Sequence, residues 1–171
     1  MLPLCYVGVN LIFTCMLLSS GFRALRFASS SMVPTLNPAE RFIYDHNFYR
    51  HQPKQRGEIV VFCIGKLPTV KRIIAVGGDT IEGRERQILL NGQLQLEPFV
   101  RHAYPTAAEP WMDNFGPIVV PPGKCFVIGD NRDISLDSRS PDVGLLDEHA
   151  ILGRALYSYH FRGKPLSRRL D

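Results

Sequence analysis

Glu58-Ile59-Val60-Val61-Phe62-Cys63-Ile64 and Val70-Lys71-Arg72-Ile73-Ile74-Ala75-Val76 are the two stretches on which the reading of the chain turns. Both are dense in Val and Ile, and the first adds Phe, so both are predicted as β-strands. Lys71 interrupts the second. A lysine held among Val70, Ile73 and Ile74 loses hydration, which disfavours the ammonium, lowers its pKa and makes a neutral amine available as a base.

A base of that kind needs a nucleophile, and the chain offers one upstream. Ser29-Ser30-Ser31-Met32-Val33-Pro34-Thr35-Leu36 places three hydroxyls before a proline that bars helix continuation and biases Val33 toward extended geometry. Taken alone, the serine cluster reads more readily as a polar turn than as an active site. The histidines, His46, His51, His102, His149 and His160, stand in no motif that pairs histidine with serine, and there is no Gly-x-Ser-x-Gly elbow. Lysine is the remaining partner, as in the Ser-Lys variant of the catalytic triad.

These residues carry a resemblance to the type I signal peptidases, membrane-bound serine proteases that remove secretory signal peptides. The family's Ser-x-Ser-Met-x-Pro-Thr-Leu is met by Ser29, Ser31, Met32, Pro34, Thr35 and Leu36, and its Lys-Arg block followed by Gly-Asp by Lys71, Arg72, Gly78 and Asp79. A third block, Gly129-Asp130-Asn131-Arg132-Asp133-Ile134-Ser135-Leu136-Asp137-Ser138-Arg139, fits Gly-Asp-Asn-x-x-x-Ser-x-Asp-Ser-Arg without a gap. Gly153-Arg154-Ala155 also recurs. The chain departs from the family at Gly77, where Pro is common, and at Ser140-Pro141-Asp142-Val143-Gly144, where the family often has Tyr-Phe-Gly.

The resemblance implies a mainly β catalytic domain with a small β insertion, preceded by one transmembrane helix. It implies Ser31 as nucleophile and Lys71 as base, with Ser135 hydrogen-bonded to the Lys71 amine. Ser29 would supply its hydroxyl to an oxyanion hole completed by the Ser31 N–H. Arg72, Asp130, Asp137 and Arg139 would hold the site by ion pairs. Read without the resemblance, the alternating charges of Asp130, Arg132, Asp133, Asp137 and Arg139 describe a self-paired polar loop.

Composition sets the outer bounds. The 171 residues allow one domain plus a segment outside it, and a net charge of +4 with scattered basic residues excludes a nucleic-acid-binding stripe. Residues 1–22 carry no charged side chain and are predominantly apolar. About 20 such residues cross a bilayer, and the segment lacks the basic n-region of a cleaved signal peptide. It is therefore expected as an anchor, and the resemblance implies residues 23–171 as a periplasmic catalytic domain at the bacterial inner membrane. Arg23 and Arg26 by themselves would keep their end cytoplasmic; the resemblance implies the opposite orientation, which is adopted.

Further elements follow locally. Arg41–Asp45, Lys124–Ile128 and 151–161 read as strands, 53–57 and Pro121-Pro122-Gly123 as turns. Ile88–Leu90 and Gln93–Leu96 form a hairpin around Asn91-Gly92. The insertion is expected over about 83–117. Within it, 97–117 is broken by four prolines and carries Phe99, Tyr104, Trp111 and Phe115, suited either to the lipid interface or to packing on the main sheet. Cys63 and Cys125 lie in apolar strands, and their pairing depends on whether their β-carbons face each other. Metal-ligand spacing is absent from the sequence, and no cofactor is implied.

The resemblance implies preproteins with Ala-x-Ala-like cleavage sites as substrates, and the anchor implies membrane lipid as a partner. The alternatives are a specialised peptidase of conjugative pilin type and a catalytically silent, membrane-tethered binding module. Retention of Ser31, Lys71 and Ser135 argues against the silent module.

Overall fold

A computed structural model describes residues 21–105, 109–159 and 168–170. Twelve strands form two antiparallel sheets among these residues. In chain order they are β1 (Phe22–Arg26), β2 (Arg41–Asp45), β3 (Ile59–Ile64), β4 (Leu67–Val76), β5 (Thr80–Arg84), β6 (Gln87–Leu90), β7 (Gln93–Leu94), β8 (Phe115–Val119), β9 (Lys124–Ile128), β10 (Leu146–Asp147), β11 (Gly153–Tyr159) and β12 (Arg168–Arg169). The larger sheet runs β1-β2-β11-β3-β4-β9-β10, with β12 on β11, and the smaller runs β7-β6-β5-β8.

The two expected strands are β3 and β4, neighbours at the middle of the large sheet with Ile59 opposite Arg72 and Val60 opposite Lys71. From Ile59 to Phe62 and from Val70 to Ala75 their apolar side chains are buried on both faces. Ile59, Val61 and Val70 join a core with Phe42, Met32 and Leu36, while Val60, Phe62 and Ile73 join another with Cys125 and Val127. Double-sided burial explains why these strands read as continuous apolar runs. A third core, built from Ile74, Phe126 and Ile128 of the large sheet with Ile81, Ile88 and Leu90 of the small one, fastens the two sheets together.

The small sheet occupies Thr80–Val119 and contains the expected insertion. Its hairpin turns on Asn91 (φ 53°) and Gly92 (φ 77°), the pair of positive φ angles that an Asn-Gly turn supplies. Asp79 joins the sheets by accepting from Arg56, from the Val76 N–H at 2.9 Å and from Asn91 Nδ2 at 3.0 Å.

Several expectations change. Phe22 begins β1, so it belongs to the sheet and not to the expected anchor, of which residues 1–20 lie outside the described residues. Among the described residues no helix is long and apolar enough to cross a membrane. The last expected strand ends at Tyr159 within the described residues. β8 was not expected, because Pro117 argues against a central strand; β8 is an edge strand, where a missing N–H is tolerated. The insertion's aromatics divide: the Phe115 ring stacks on Phe126 at 5.4 Å, whereas Tyr104 is exposed. Cys63 and Cys125 are both free, Cys63 being exposed and Cys125 buried.

At Gly153, where β11 meets β2, a Cβ would strike the backbone of Asp45 and the Cα of His46 at 2.9 Å. Gly153→Ala is therefore expected to cost about 2 kcal/mol, lowering Tm by about 4–8 °C in a thermal melt. An unchanged Tm would show that the strands separate freely here.

Candidate active site

Turns carry the serine segment into the core by its apolar residues. The Val33 N–H donates to Ser30 O at 3.2 Å and the Leu36 N–H to Met32 O at 2.9 Å, with Met32 and Leu36 fully buried. Ser31 is thereby held at the edge of the core. Its hydroxyl meets Lys71 of β4, whose Nζ donates to Ser31 Oγ at 2.7 Å. Both side chains are buried, Lys71 being only 3% exposed.

Burial pushes the Lys71 amine down. Asp137 pulls it up, Arg139 pushes it down and Asp130 pulls it up; burial prevails, and the pKa falls from 10.5 to about 8. The carboxylates do not dominate because each is bound to an arginine. Arg72 Nε and Nη2 donate to the two oxygens of Asp130 at 2.9 and 2.7 Å, with Arg72 Nη1 on Gly57 O and the Thr35 hydroxyl donating to the same carboxylate. Arg139 grips Asp137 in the same two-pronged way, both bonds at 2.9 Å, while the Gly129 N–H donates to Asp137 Oδ2 at 3.1 Å. Paired forks of this kind are the strongest arginine–carboxylate contacts.

Ser29 and Ser135 sit close by but not as expected. The Ser31 N–H donates to Ser29 Oγ at 3.1 Å, so the two expected oxyanion donors are bonded to each other in this state. Ser135 is fully buried over Gly129, yet its Oγ makes no hydrogen bond among the described residues, and the expected bond to Lys71 is not formed. A Cβ at Gly129 would clash with Ser135 Oγ and Ser31 O, so only glycine lets these segments meet.

The charged loop is only partly self-paired. Asp137 and Arg139 bind each other, but Arg132 forks onto Glu97 at 2.7 and 2.6 Å. Asp133, fully buried, receives Arg86 at 2.5 Å, His102 at 3.0 Å and the Tyr104 N–H at 2.8 Å. Burial pushes Asp133 up, and the Tyr104 N–H, His102 and Arg86 together overcome it, holding its carboxyl below the usual range. Phe99 lays its ring 4.0 Å from the Arg72 guanidinium. Sequence reasoning missed these partners in the insertion: Arg86, Glu97, Phe99 and His102 are far from their targets along the chain, with no spacing signal. Thr35 and Asn131 were visible inside the quoted blocks but without a role.

A cleft of about 500 Å³ opens onto Ser29, Ser31 and Lys71. Its walls are mainly apolar and include Phe27, Ala28, Phe42, Leu67, Val70 and Leu136. It is bordered by Leu25 and Arg26 of β1 and by Leu67 to Lys71 of β4. A buried hydroxyl against a depressed amine, at the floor of such a cleft, suits acyl transfer on a peptide.

Comparison with known proteins agrees in kind. The family described as "Signal peptidase, peptidase S26" matches residues 4–160. Signal peptidase I S of Bacillus subtilis (strain 168) is 36% identical over 134 residues, covering 76% of this chain and 72% of that protein. Signal peptidase IB of Staphylococcus aureus (strain Mu50) is 36% identical over 141 residues, 75% of this chain and 73% of the other. A crystal structure of a signal peptidase I from Enterococcus faecalis V583 aligns with a TM-score of 0.48 at 26% identity, over 60% of this chain and 97% of that one. On the family match and the extent of these relatives, the chain belongs to the signal peptidase family, peptidase S26.

Proposed function

We propose that this chain is a membrane-anchored serine endopeptidase that removes signal peptides from secretory precursors, with Ser31 as nucleophile and Lys71 as general base. Family membership supports a serine peptidase that removes signal peptides. The observation that carries the chemistry is the 2.7 Å contact between Ser31 Oγ and a buried amine whose pKa has fallen to about 8.

The steps follow from that contact. Ser31 Oγ attacks the scissile carbonyl carbon while its proton passes to the neutral Lys71 Nζ. The oxyanion takes the Ser31 N–H, and the Ser29 hydroxyl rotates from acceptor to donor beside it. The C–N bond then breaks, Lys71 returns the proton to the leaving amine, and an acyl group remains on Ser31. Water, deprotonated by Lys71, hydrolyses the ester and restores the serine. Arg72–Asp130 and Arg139–Asp137 keep carboxylates off the amine. Ser135 and the Ser31 carbonyl both lie against Gly129.

Membrane anchoring is assigned to the apolar segment before β1, with the catalytic domain on the outer face of the inner membrane. Ala28 and the apolar cleft walls suit substrates with small residues before the cleaved bond. If the preference for small residues that family membership suggests holds here, replacing the alanine preceding that bond with leucine in a peptide substrate should lower kcat/KM by about 10–100-fold, the worth of a few misplaced methylenes in an apolar site. Equal turnover of both peptides would refute the size rule.

Ser31→Ala should abolish cleavage of a preprotein in a folded chain, and Ser30→Ala should leave it nearly intact. A live Ser31→Ala overturns the proposal; a dead Ser30→Ala beside it moves the nucleophile by one residue.

Lys71 gives two linked expectations. Lys71→Met should be as inactive as Ser31→Ala, and Lys71→Arg should not rescue activity, because a guanidinium stays protonated. In the wild type, kcat/KM should rise with pH on a limb near pH 8, the pKa of the buried amine. Stability runs the same way. The folded pKa of about 8 lies below the unfolded 10.5, so the unfolded chain holds more protons between these values. The buried lysine therefore destabilises the fold in full below about pH 8, and the penalty fades as pH rises through that interval. Lys71→Met should accordingly raise stability by up to about 3 kcal/mol at pH 7, a gain that vanishes near pH 10.5. A pH-independent difference in Tm would contradict a charged lysine at neutral pH.

A further inference from the structure

Asn131 stands next to Asp130 in the charged loop, yet its side chain takes no part in the ion pairs. It is 4% exposed. Its Nδ2 donates to Ser30 O at 3.2 Å, and its backbone N–H donates to Ser31 O at 3.1 Å. One residue thus holds the two carbonyls on either side of the proposed nucleophile. Its own backbone is gripped from the far side by the insertion. The Arg101 N–H donates to Asp130 O at 2.8 Å and the Arg132 N–H to Arg101 O at 3.0 Å, a parallel bridge across Asn131.

The consequence lies in the peptide plane. The Ser30–Ser31 bond is not among the cis peptides of the chain, so its C=O and N–H point in opposite directions across one rigid plane. Whatever fixes the direction of Ser30 C=O therefore fixes the direction of the Ser31 N–H. Asn131 Oδ1 makes no hydrogen bond among the described residues, so the donor end alone anchors this side chain.

We propose that Asn131 is a positioning residue that aims the Ser31 N–H into the oxyanion hole by tethering the Ser30 carbonyl. The inference deepens the assignment of Ser31 as nucleophile and rests on it. The Val33 N–H also donates to Ser30 O at 3.2 Å, so loss of Asn131 misdirects the plane without freeing it.

The test uses the full-length protein in detergent or vesicles with a preprotein substrate. It compares Asn131→Asp, Asn131→Ala, Ser29→Ala and the double variant Ser29→Ala/Asn131→Ala, with Ser31→Ala as reference. Asn131→Asp keeps the shape but sets an acceptor against Ser30 O. Both single Asn131 variants should lose about 10-fold in kcat, the worth of one hydrogen bond. KM should stay within about twofold, as for an interaction made in the transition state. The alkaline limb should keep its pKa, because the Lys71–Ser31 contact is untouched. The double variant should lose less than the product of the single losses, since Ser29 and Asn131 act on the same N–H.

An unchanged kcat, a raised KM alone, a displaced pH limb or fully multiplicative losses would each overturn the role. So would failure of both Asn131 variants to fold, which would make the residue structural. A Ser31→Ala that still cleaves removes the nucleophile assignment itself. Normal Asn131 variants beside a dead Ser31→Ala remove only this inference.

Discussion

A lysine amine kept nearly dry, 2.7 Å from a serine hydroxyl and screened from two nearby carboxylates, is the constraint around which the rest of the site is arranged. Burial alone would leave the charged form merely disfavoured, while an unpaired Asp130 or Asp137 would restore it. The two-pronged arginine contacts resolve this by satisfying the carboxylates within their own pairs. Arg72 follows Lys71 in β4, so one strand supplies both the amine and the guanidinium that shields it. Breaking such a buried pair costs about 3–5 kcal/mol, because the surviving charge is left uncompensated. In the proposed chemistry these pairs are therefore structural conditions rather than participants.

The arrangement also opposes stability and function at one residue. A lysine whose pKa has dropped to about 8 weakens the fold at neutral pH, and the cores on either side of β3 and β4 have to offset it. Those cores also locate Ser31. Met32 and Leu36 are buried with Ile59 and Val61, so the packing that builds the sheet draws Ser31 toward Lys71.

The small sheet has a part in the site as well as on its periphery. Phe99 covers the Arg72 guanidinium, Glu97 neutralises Arg132, and Arg86 with His102 neutralises Asp133. Arg101 bridges to Asn131. Through these contacts the insertion fixes the back of the loop whose front carries Asp130, Asn131 and Ser135. A change in the insertion would reach the site by moving that loop.

The strands β3, β4 and β9 and the Asn91-Gly92 hairpin were legible from the sequence, and Ser31 and Lys71 stood out there as candidates, because each rests on local information: an apolar run, a turn pair, or a residue set inside a short block. β1 and β8 were not, since one follows the apolar segment and the other contains Pro117; only the neighbouring strand in each sheet makes them strands. The charged loop shows the same division. Its residue types announced ion pairs, but loop residues can reach partners close in sequence or distant, and composition does not choose. Asp130 chose Arg72, Asp133 chose Arg86 and His102, Arg132 chose Glu97, and Ser135 stayed without the Lys71 contact expected of it. The sequence by itself determined which groups could do the chemistry, because ionisation and nucleophilicity belong to residue types. The tertiary structure decided which of them meet and how dry the amine is, because desolvation and hydrogen-bond direction exist only once the chain has packed.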